Sequence, residues 1–284
     1  MRTKVWLAAV LLCLLPIMAL AQDQKDVLVQ ELYVKSGMER QFAQVPLIME
    51  ADFSRAILED KNLQKLPENL TAAMKALIPE VFKVESLREA MVKQLGEKLT
   101  IEEIREVLNW LDSHVGKNCT RLEEDATKPE ILTELPQYTA QIKNSPPPVA
   151  RLELMNKLDA ALKATESRIQ LTKGIFVAFS LALNATLPLE QQKPPAFFRR
   201  EVEKNAPQFG IEAKQETLIA LLYVYRSLDD GQIKQYIEFL TSPAGSKYMS
   251  VSEAAYQKAL FDGGIKWGKA VGEIVQQMKG QSGA

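Results

Sequence analysis

The sequence predicts an all-α protein made of two related helical-bundle modules, a proline-rich linker and a C-terminal helix. Three observations support this prediction. The stretch 228–255 has a counterpart 129 positions earlier, at 99–126. In each copy, apolar residues recur at helical spacing behind a capping signal. The run NSPPP at 144–148 cannot continue a helix and favours extended polyproline II, so it separates the two halves.

Each copy begins with a helix N-cap signal. Thr100 is followed three residues later by Glu103, and Asp229 by Gln232. In such a pair the first side chain accepts a hydrogen bond from the first turn, and the second reaches back to the cap. Apolar residues then follow at i, i+3, i+4 and i+7, the pattern of one buried helical face: Ile104, Val107, Leu108 and Leu111 in one copy, and Ile233, Tyr236, Ile237 and Leu240 in the other.

A corner interrupts each copy, at Ser113 and at Ser242. Ser242 and Pro243 fit an N-cap and a first helical position, where the missing proline N–H costs nothing. A second helix is therefore expected to start at each corner. Gly116 and Gly245 fall in its first turn, although alanine is the better helix former by about 1 kcal/mol. We therefore expect another helix to approach each corner too closely for a Cβ atom.

Trp110 and Phe239 are aligned aromatic residues at the edges of the two apolar stripes. The second copy contains the run FLTSPAGSKYMS at 239–250, which resembles the domain of unknown function 2059 family of bacterial envelope proteins. The recognisable core of that family is a helix, a Ser-Pro-x-Gly corner and a second helix. The first copy departs from it, with Ser-His-Val-Gly at 113–116. The resemblance implies export and an all-helical fold, and it supplies no catalytic residues.

Residues 1–21 have the pattern of an export signal. Arg2 and Lys4 precede an apolar run at 5–20, and Ala-Leu-Ala at 19–21 is typical of a cleavage site. The run is shorter than the roughly 20 residues that a membrane-spanning helix needs. We expect cleavage after Ala21 and a periplasmic protein without a stable membrane span. The alternative is a retained membrane anchor.

Beyond the signal, we expect a first module at 22–143, the linker at 144–148 and a second module at 149–262. Separate helices are expected at 196–206 and 212–227. Gly263 and Gly264 are interpreted as a hinge or helix break before a C-terminal helix and tail at 263–284. Glycines of that helix recur at four-residue spacing opposite an apolar face; the apolar residues are Trp267, Val271, Ile274 and Met278, and the glycines are Gly264, Gly268 and Gly272. We expect this helix to pack on its own module, with a homodimer contact or a partner groove as the alternative.

Composition argues against several classes of function. Removal of Arg2 and Lys4 takes the formal net charge from −1 to −3, whereas nucleic-acid-binding proteins carry an excess of basic residues. His114 is the only histidine, and Cys119 is the only cysteine after the signal. Their five-residue separation is not a favoured spacing for metal ligands. We interpret His114 as a corner residue and Cys119 as a small buried apolar residue.

Carboxylates cluster at three places. Glu102-Glu103 and Asp229-Asp230 occupy predicted first turns of helices, where negative charge suits the helix dipole. Residues 123–125 (EED) are interpreted as a solvated helix face, with a divalent-cation site as the alternative. Ser36 and Glu39 form a further capping-box signal. No catalytic, cofactor-binding or metal-binding residues are predicted.

These features favour a non-enzymatic periplasmic protein that binds a partner protein or another component of the cell envelope. The alternative is a carrier or sensor of an apolar ligand held between helices. A large enclosed apolar pocket would favour the ligand, and an exposed apolar patch would favour the partner. An enzyme would instead need polar groups that converge in one cleft, and the sequence offers no such set.

Overall fold

The computed structural model describes residues 23–59, 61, 63–128 and 130–282. Within these ranges the regular secondary structure is entirely helical and contains no strand, so the all-α prediction is confirmed. None of the described helices is long and apolar enough to cross a membrane. The predicted export signal at 1–21 lies outside the described residues.

Twelve α-helices follow one another along the described parts of the chain, with short 3₁₀ turns at Leu63–Lys65 and Leu189–Gln191. They are α1 (residues 23–35), α2 (Met38–Glu59), α3 (Glu68–Val81), α4 (Val84–Lys98), α5 (Ile101–Asp112), α6 (His114–Asp125), α7 (Ile131–Asn144), α8 (Val149–Leu162), α9 (Ala164–Thr186), α10 (Pro195–Val224), α11 (Asp230–Thr241) and α12 (Pro243–Ser282).

The capping signals of both copies form as predicted. Thr100 Oγ1 accepts from the Glu103 amide at 3.2 Å, and the Thr100 amide donates to the Glu103 carboxylate at 2.8 Å. Asp229 and Gln232 exchange the equivalent bonds at 2.9 and 3.1 Å. At the corners, the hydroxyls of Ser113 and Ser242 cap the second helices. We call α5–α6 the first hairpin and α11 with the start of α12 the second hairpin.

The two corner glycines meet a backbone, as expected. An ideal Cβ on Gly116 would lie 2.0 Å from the Trp110 carbonyl oxygen, and one on Gly245 would lie 2.0 Å from the Phe239 carbonyl oxygen. The approaching helix is in each case the first helix of the same hairpin. The glycine amides donate to the capping serines at 3.0 and 3.1 Å. Each glycine is therefore required by the tightness of its corner.

The two hairpins pack against each other. Helix α5 contacts α12, and α11 contacts α6. Trp110 and Phe239, which hold the same position in the two copies, stack with ring centroids 4.8 Å apart and planes 8° apart. This aromatic stack lies at the contact between the two hairpins.

Two apolar clusters form the core, and both draw on both halves of the sequence. The first joins α1–α5 to buried residues of α12, including Tyr248, Trp267 and Val271. The second joins Val115 and Cys119 of α6 to α8, α11 and the end of α10. The helices do stop at Asn144 and resume at Val149, around the proline run. The two sides of this linker nevertheless share their cores.

The expected break at Gly263 and Gly264 is wrong, because α12 continues through both residues. An ideal Cβ on Gly263 would lie 2.4 Å from the ring of Phe82, and one on Gly264 would lie 2.7 Å from the Ala178 Cβ. These glycines therefore serve close packing of α12 on α3 and α9. On the apolar face, the Trp267 indole is fully buried and donates to the Met74 carbonyl at 2.9 Å. The helix packs on α9 of its own predicted module, as expected, but it also packs on α3 of the other predicted module.

Two further local predictions are wrong. The helices expected at 196–206 and 212–227 are one helix, α10, which contains Pro207 and packs along α9. A neighbouring helix can hold such a segment together although proline removes one hydrogen bond. Ser36 is not an N-cap, since its hydroxyl donates to the Tyr33 carbonyl at 3.2 Å. Gly37, with φ at 75°, makes the turn instead.

Candidate ligand-binding cavity

A cavity of about 980 Å³ lies where the two hairpins meet α2, α9 and α10. Its volume falls at the upper end of the roughly 300–1,000 Å³ of small-molecule sites. The walls are mostly apolar and aromatic, with Phe42, Met49, Val177 and Leu260 among the lining residues. The junction of the two copies with the long helices therefore leaves a space of the size and character of a ligand site.

The hairpins contribute equivalent positions to this cavity. Five pairs of hairpin residues that are 129 positions apart line it together: Trp110 with Phe239, Leu111 with Leu240, Cys119 with Tyr248, Thr120 with Met249, and Glu123 with Ser252. The first pair is aromatic in both hairpins, and the second is leucine in both. The other three pairs differ in size or polarity, so the hairpins present partly different side chains to the cavity.

Glu123 is a partly buried carboxyl group on the wall of the cavity. The hydroxyls of Tyr225 and Tyr236 both donate to its Oε1, each at 2.7 Å. Among the described residues no hydrogen bond reaches its Oε2. Burial raises the pKa of Glu123, and the neighbouring Glu124 raises it further, while the two tyrosine hydrogen bonds lower it. No basic side chain contributes to this balance.

The interpretation of 123–125 as a solvated face is therefore wrong for Glu123. Glu124 and Asp125 point elsewhere: Glu124 pairs with Arg40, and Asp125 pairs with Arg121 and Lys128. The three carboxylates diverge because successive helical residues are about 100° apart. In the described part of the chain, no group of three or more His, Cys, Asp or Glu side chains could hold a metal ion.

Cys119 lies one helical turn before Glu123 and is buried, so its interpretation as a small apolar residue is confirmed. Burial, followed by the charge of Glu123, raises the pKa of the Cys119 thiol to about 12. The thiol is consequently protonated at neutral pH and is a poor nucleophile. Burial likewise raises the pKa of Tyr248 to about 12. Both groups act as neutral walls of the cavity.

Basic side chains line another part of the cavity, and three of them pair with a carboxylate. These pairs are Arg168 with Glu216, Lys173 with Glu203, and Lys258 with Asp262. The guanidinium of Arg199 lies over the Phe261 ring, 4.5 Å from its centroid. These four basic side chains therefore already interact with carboxylates or an aromatic ring of the protein.

The structure places the predicted motif residues in two groups. Trp110, Phe239 and Gly116 line the cavity, whereas Ser113, Ser242, Pro243 and Gly245 form the corners and are not among its lining residues. His114 is exposed at the first position of α6, 3.5 Å from the amide nitrogen of Asn118, so it is a corner residue as interpreted. Glu102 and Asp230 lie in the first turns of their helices, as expected.

Sequence reasoning missed the convergence of Glu123, Tyr225 and Tyr236. The alignment of the two copies contained a signal. The acidic Glu123 aligns with the neutral Ser252, at a position that points toward the inside of the protein. Comparisons with protein-family models, with curated proteins and with solved structures found no match to this chain. The resemblance of 228–255 to the domain of unknown function 2059 family stays a prediction.

Proposed function

We propose that this protein is a non-enzymatic binding protein that holds an apolar ligand between its helices. The observation that carries the proposal is the cavity of about 980 Å³ with mostly apolar walls. The sequence placed this function second to binding of an envelope partner. The cavity reverses that order, because a mostly apolar space of this size between helices is typical of a small-molecule site.

Transfer of apolar surface from water into such walls is favourable by roughly 25 cal/mol per Å². The lining offers aromatic rings and flexible methionines, which adapt to ligands of irregular shape. Its neutral thiol and tyrosines supply no activated nucleophile. Retention of a ligand, rather than its conversion, is the function that this chemistry supports best.

The proposal includes export to the periplasm, supported by the order of features at 1–21. We expect the mature chain to begin at Gln22. Intact-mass measurement of the protein purified from its native envelope tests this directly. A mass that still includes residues 1–21 would overturn the export proposal and leave the cavity unaffected.

A large side chain at Gly174 should fill part of the cavity. It lies in α9 and lines the cavity, and no atom lies within 4 Å of an ideal Cβ built on it. Gly174→Trp should fill the space that a ligand needs. Gly174→Ala is the matched control, because it adds one methyl group in open space and favours the helix by about 1 kcal/mol.

Titration with N-phenyl-1-naphthylamine, a neutral apolar fluorophore, tests the function. We expect saturable binding at one site in the wild type and in Gly174→Ala, and at least tenfold weaker binding in Gly174→Trp. The melting temperature of each variant establishes that it is folded. Equal binding in all three proteins, or none in the wild type, would contradict the proposal.

A further inference from the structure

The cavity wall contains a partly buried carboxyl group, that of Glu123, which has no cation beside it among the described residues. Both tyrosine hydroxyls bind Oε1 of Glu123, and its Oε2 has no hydrogen-bond partner among the described residues. Among the described residues no ion pair reaches Glu123, and the neighbouring Glu124 carries a charge of the same sign. A carboxyl group removed from water is costly to ionise unless a cation pairs with it. The missing partner can come from a ligand.

The surroundings of Glu123 favour a cation as well. Tyr236 lies against Trp110, with ring centroids 5.8 Å apart, and against Tyr225, with ring centroids 5.9 Å apart. Aromatic rings attract cations through their quadrupoles, and they also bury apolar groups well. An alkylammonium group combines both features. A carboxylate headgroup in the same place would meet Glu123 as a like charge.

The basic side chains of the cavity wall give less support to a ligand whose polar end is an anion. Arg168, Lys173 and Lys258 each hold a carboxylate of the protein already. An anionic headgroup would have to displace one of these partners or draw Arg199 away from the Phe261 ring. The free oxygen of Glu123 needs no such exchange, so a ligand oriented with its polar end at Glu123 satisfies more groups.

We propose, building on the proposed function, that the ligand is an apolar molecule whose polar end is a primary ammonium group bound by Oε2 of Glu123. Its apolar body lies along the walls formed by α9, α10 and α12. The ammonium donates to Oε2, while the tyrosine hydroxyls hold Oε1 and so orient the carboxylate. Ser252, the counterpart of Glu123 in the second hairpin, presents a neutral hydroxyl and provides no equivalent site.

Displacement of N-phenyl-1-naphthylamine by three probes of equal chain length tests this inference. The probes are dodecylamine, dodecanol and dodecanoate, each below its micelle concentration and at about pH 8, where the amine is protonated and the acid ionised. In the wild type we expect dodecylamine to bind at least tenfold more tightly than dodecanol, and dodecanoate to bind most weakly. In Glu123→Gln the advantage of the amine should disappear, with dodecanol unchanged within twofold. Glu103→Gln, the matched control at a carboxylate that does not line the cavity, should keep the wild-type order.

The outcomes separate the two proposals. Dodecanol binding without a preference for the amine, or a preference that survives in Glu123→Gln, overturns the ammonium site and leaves the apolar cavity standing. If the wild type binds neither the fluorophore nor any of the three probes, the proposed function itself is overturned. If Glu123→Gln does not fold, the order of the three probes in the wild type decides the inference alone.

Discussion

The two hairpins share a frame and differ in what they present to the cavity. Both have a capping box, a capping serine and a corner glycine that lies against a carbonyl of its own hairpin. The second helices then diverge. Helix α6 ends at Asp125 and turns Glu123 inward, whereas α12 runs on to Ser282 and places Ser252 at the equivalent position.

This difference separates what the backbone requires from what the cavity requires. The shared capping residues accept hydrogen bonds from backbone N–H groups at the helix starts, and the shared glycines let the two helices of each hairpin approach closely. Any sequence that forms this corner must meet both requirements. Several residues that differ lie on the cavity wall, among them Glu123 and Ser252, where many side chains would fit the fold. The asymmetry between Glu123 and Ser252 is therefore where we expect specificity for the ligand.

The largest effects on stability should come from the shared frame. Gly245→Ala and Gly116→Ala each place a Cβ where the carbonyl oxygen of the preceding helix lies 2.0 Å away. We expect each substitution to lower the free energy of unfolding by about 1–3 kcal/mol through overpacking. Urea unfolding of the two variants measures this, and similar losses would show that the corners are equivalent.

Gly174→Ala serves as the control for these variants, because it also replaces a helical glycine but meets no atom within 4 Å. It should be as stable as the wild type or more so. A stabilised Gly245→Ala variant would mean that the corner relaxes freely, and it would break the comparison between the two hairpins.

The pH dependence of stability should reveal Glu123. Its folded-state pKa is raised by burial, so its contribution to stability is fully present below the unfolded pKa and is lost as pH rises through the folded pKa. Relative to the wild type, Glu123→Gln should therefore gain stability as pH rises from about 4 to about 8. Urea midpoints across this range measure the change.

Glu103 provides a control of opposite sign. Its pKa is lowered by the hydrogen bond from Lys247 and by the Thr100 amide, so its contribution is present above the unfolded pKa and is lost as pH falls. Glu103→Gln should accordingly lose stability relative to the wild type as pH rises. The same slope for both variants would contradict the assignment of Glu123 as an acid whose pKa is raised in the folded protein.

The smallest effect on stability should come from an ion pair between the hairpins that has no counterpart at the equivalent positions. Lys247 Nζ lies 2.7 Å from the Glu103 carboxylate and joins α12 to α5. The equivalent positions, Asn118 and Gln232, carry no charge. Because both partners are partly exposed, Lys247→Ala should cost less than about 1 kcal/mol. A double-mutant cycle with Glu103→Gln measures the coupling, and a coupling well above this value would give the ion pair a larger role in joining the hairpins.

The sequence predicted the local features of the frame well and the long-range features poorly. Capping boxes and corner glycines depend on residues within a few positions of each other, so spacing alone reveals them. The continuity of α10 through Pro207 and of α12 through Gly263 depends on packing against α9 and α3, which no local pattern records. Glu123 was misjudged for the same reason, since Tyr225 and Tyr236 are about a hundred residues away in the chain.

We expect one apolar ligand to occupy one site where the two hairpins meet. Nondenaturing mass spectrometry of the mature protein mixed with dodecylamine counts the ligands bound per chain. We predict a single adduct of one amine per chain in the wild type and in Gly174→Ala, and its loss in folded Gly174→Trp. A wild type that shows no adduct, or a series of adducts that is the same in Gly174→Trp, would contradict the claim.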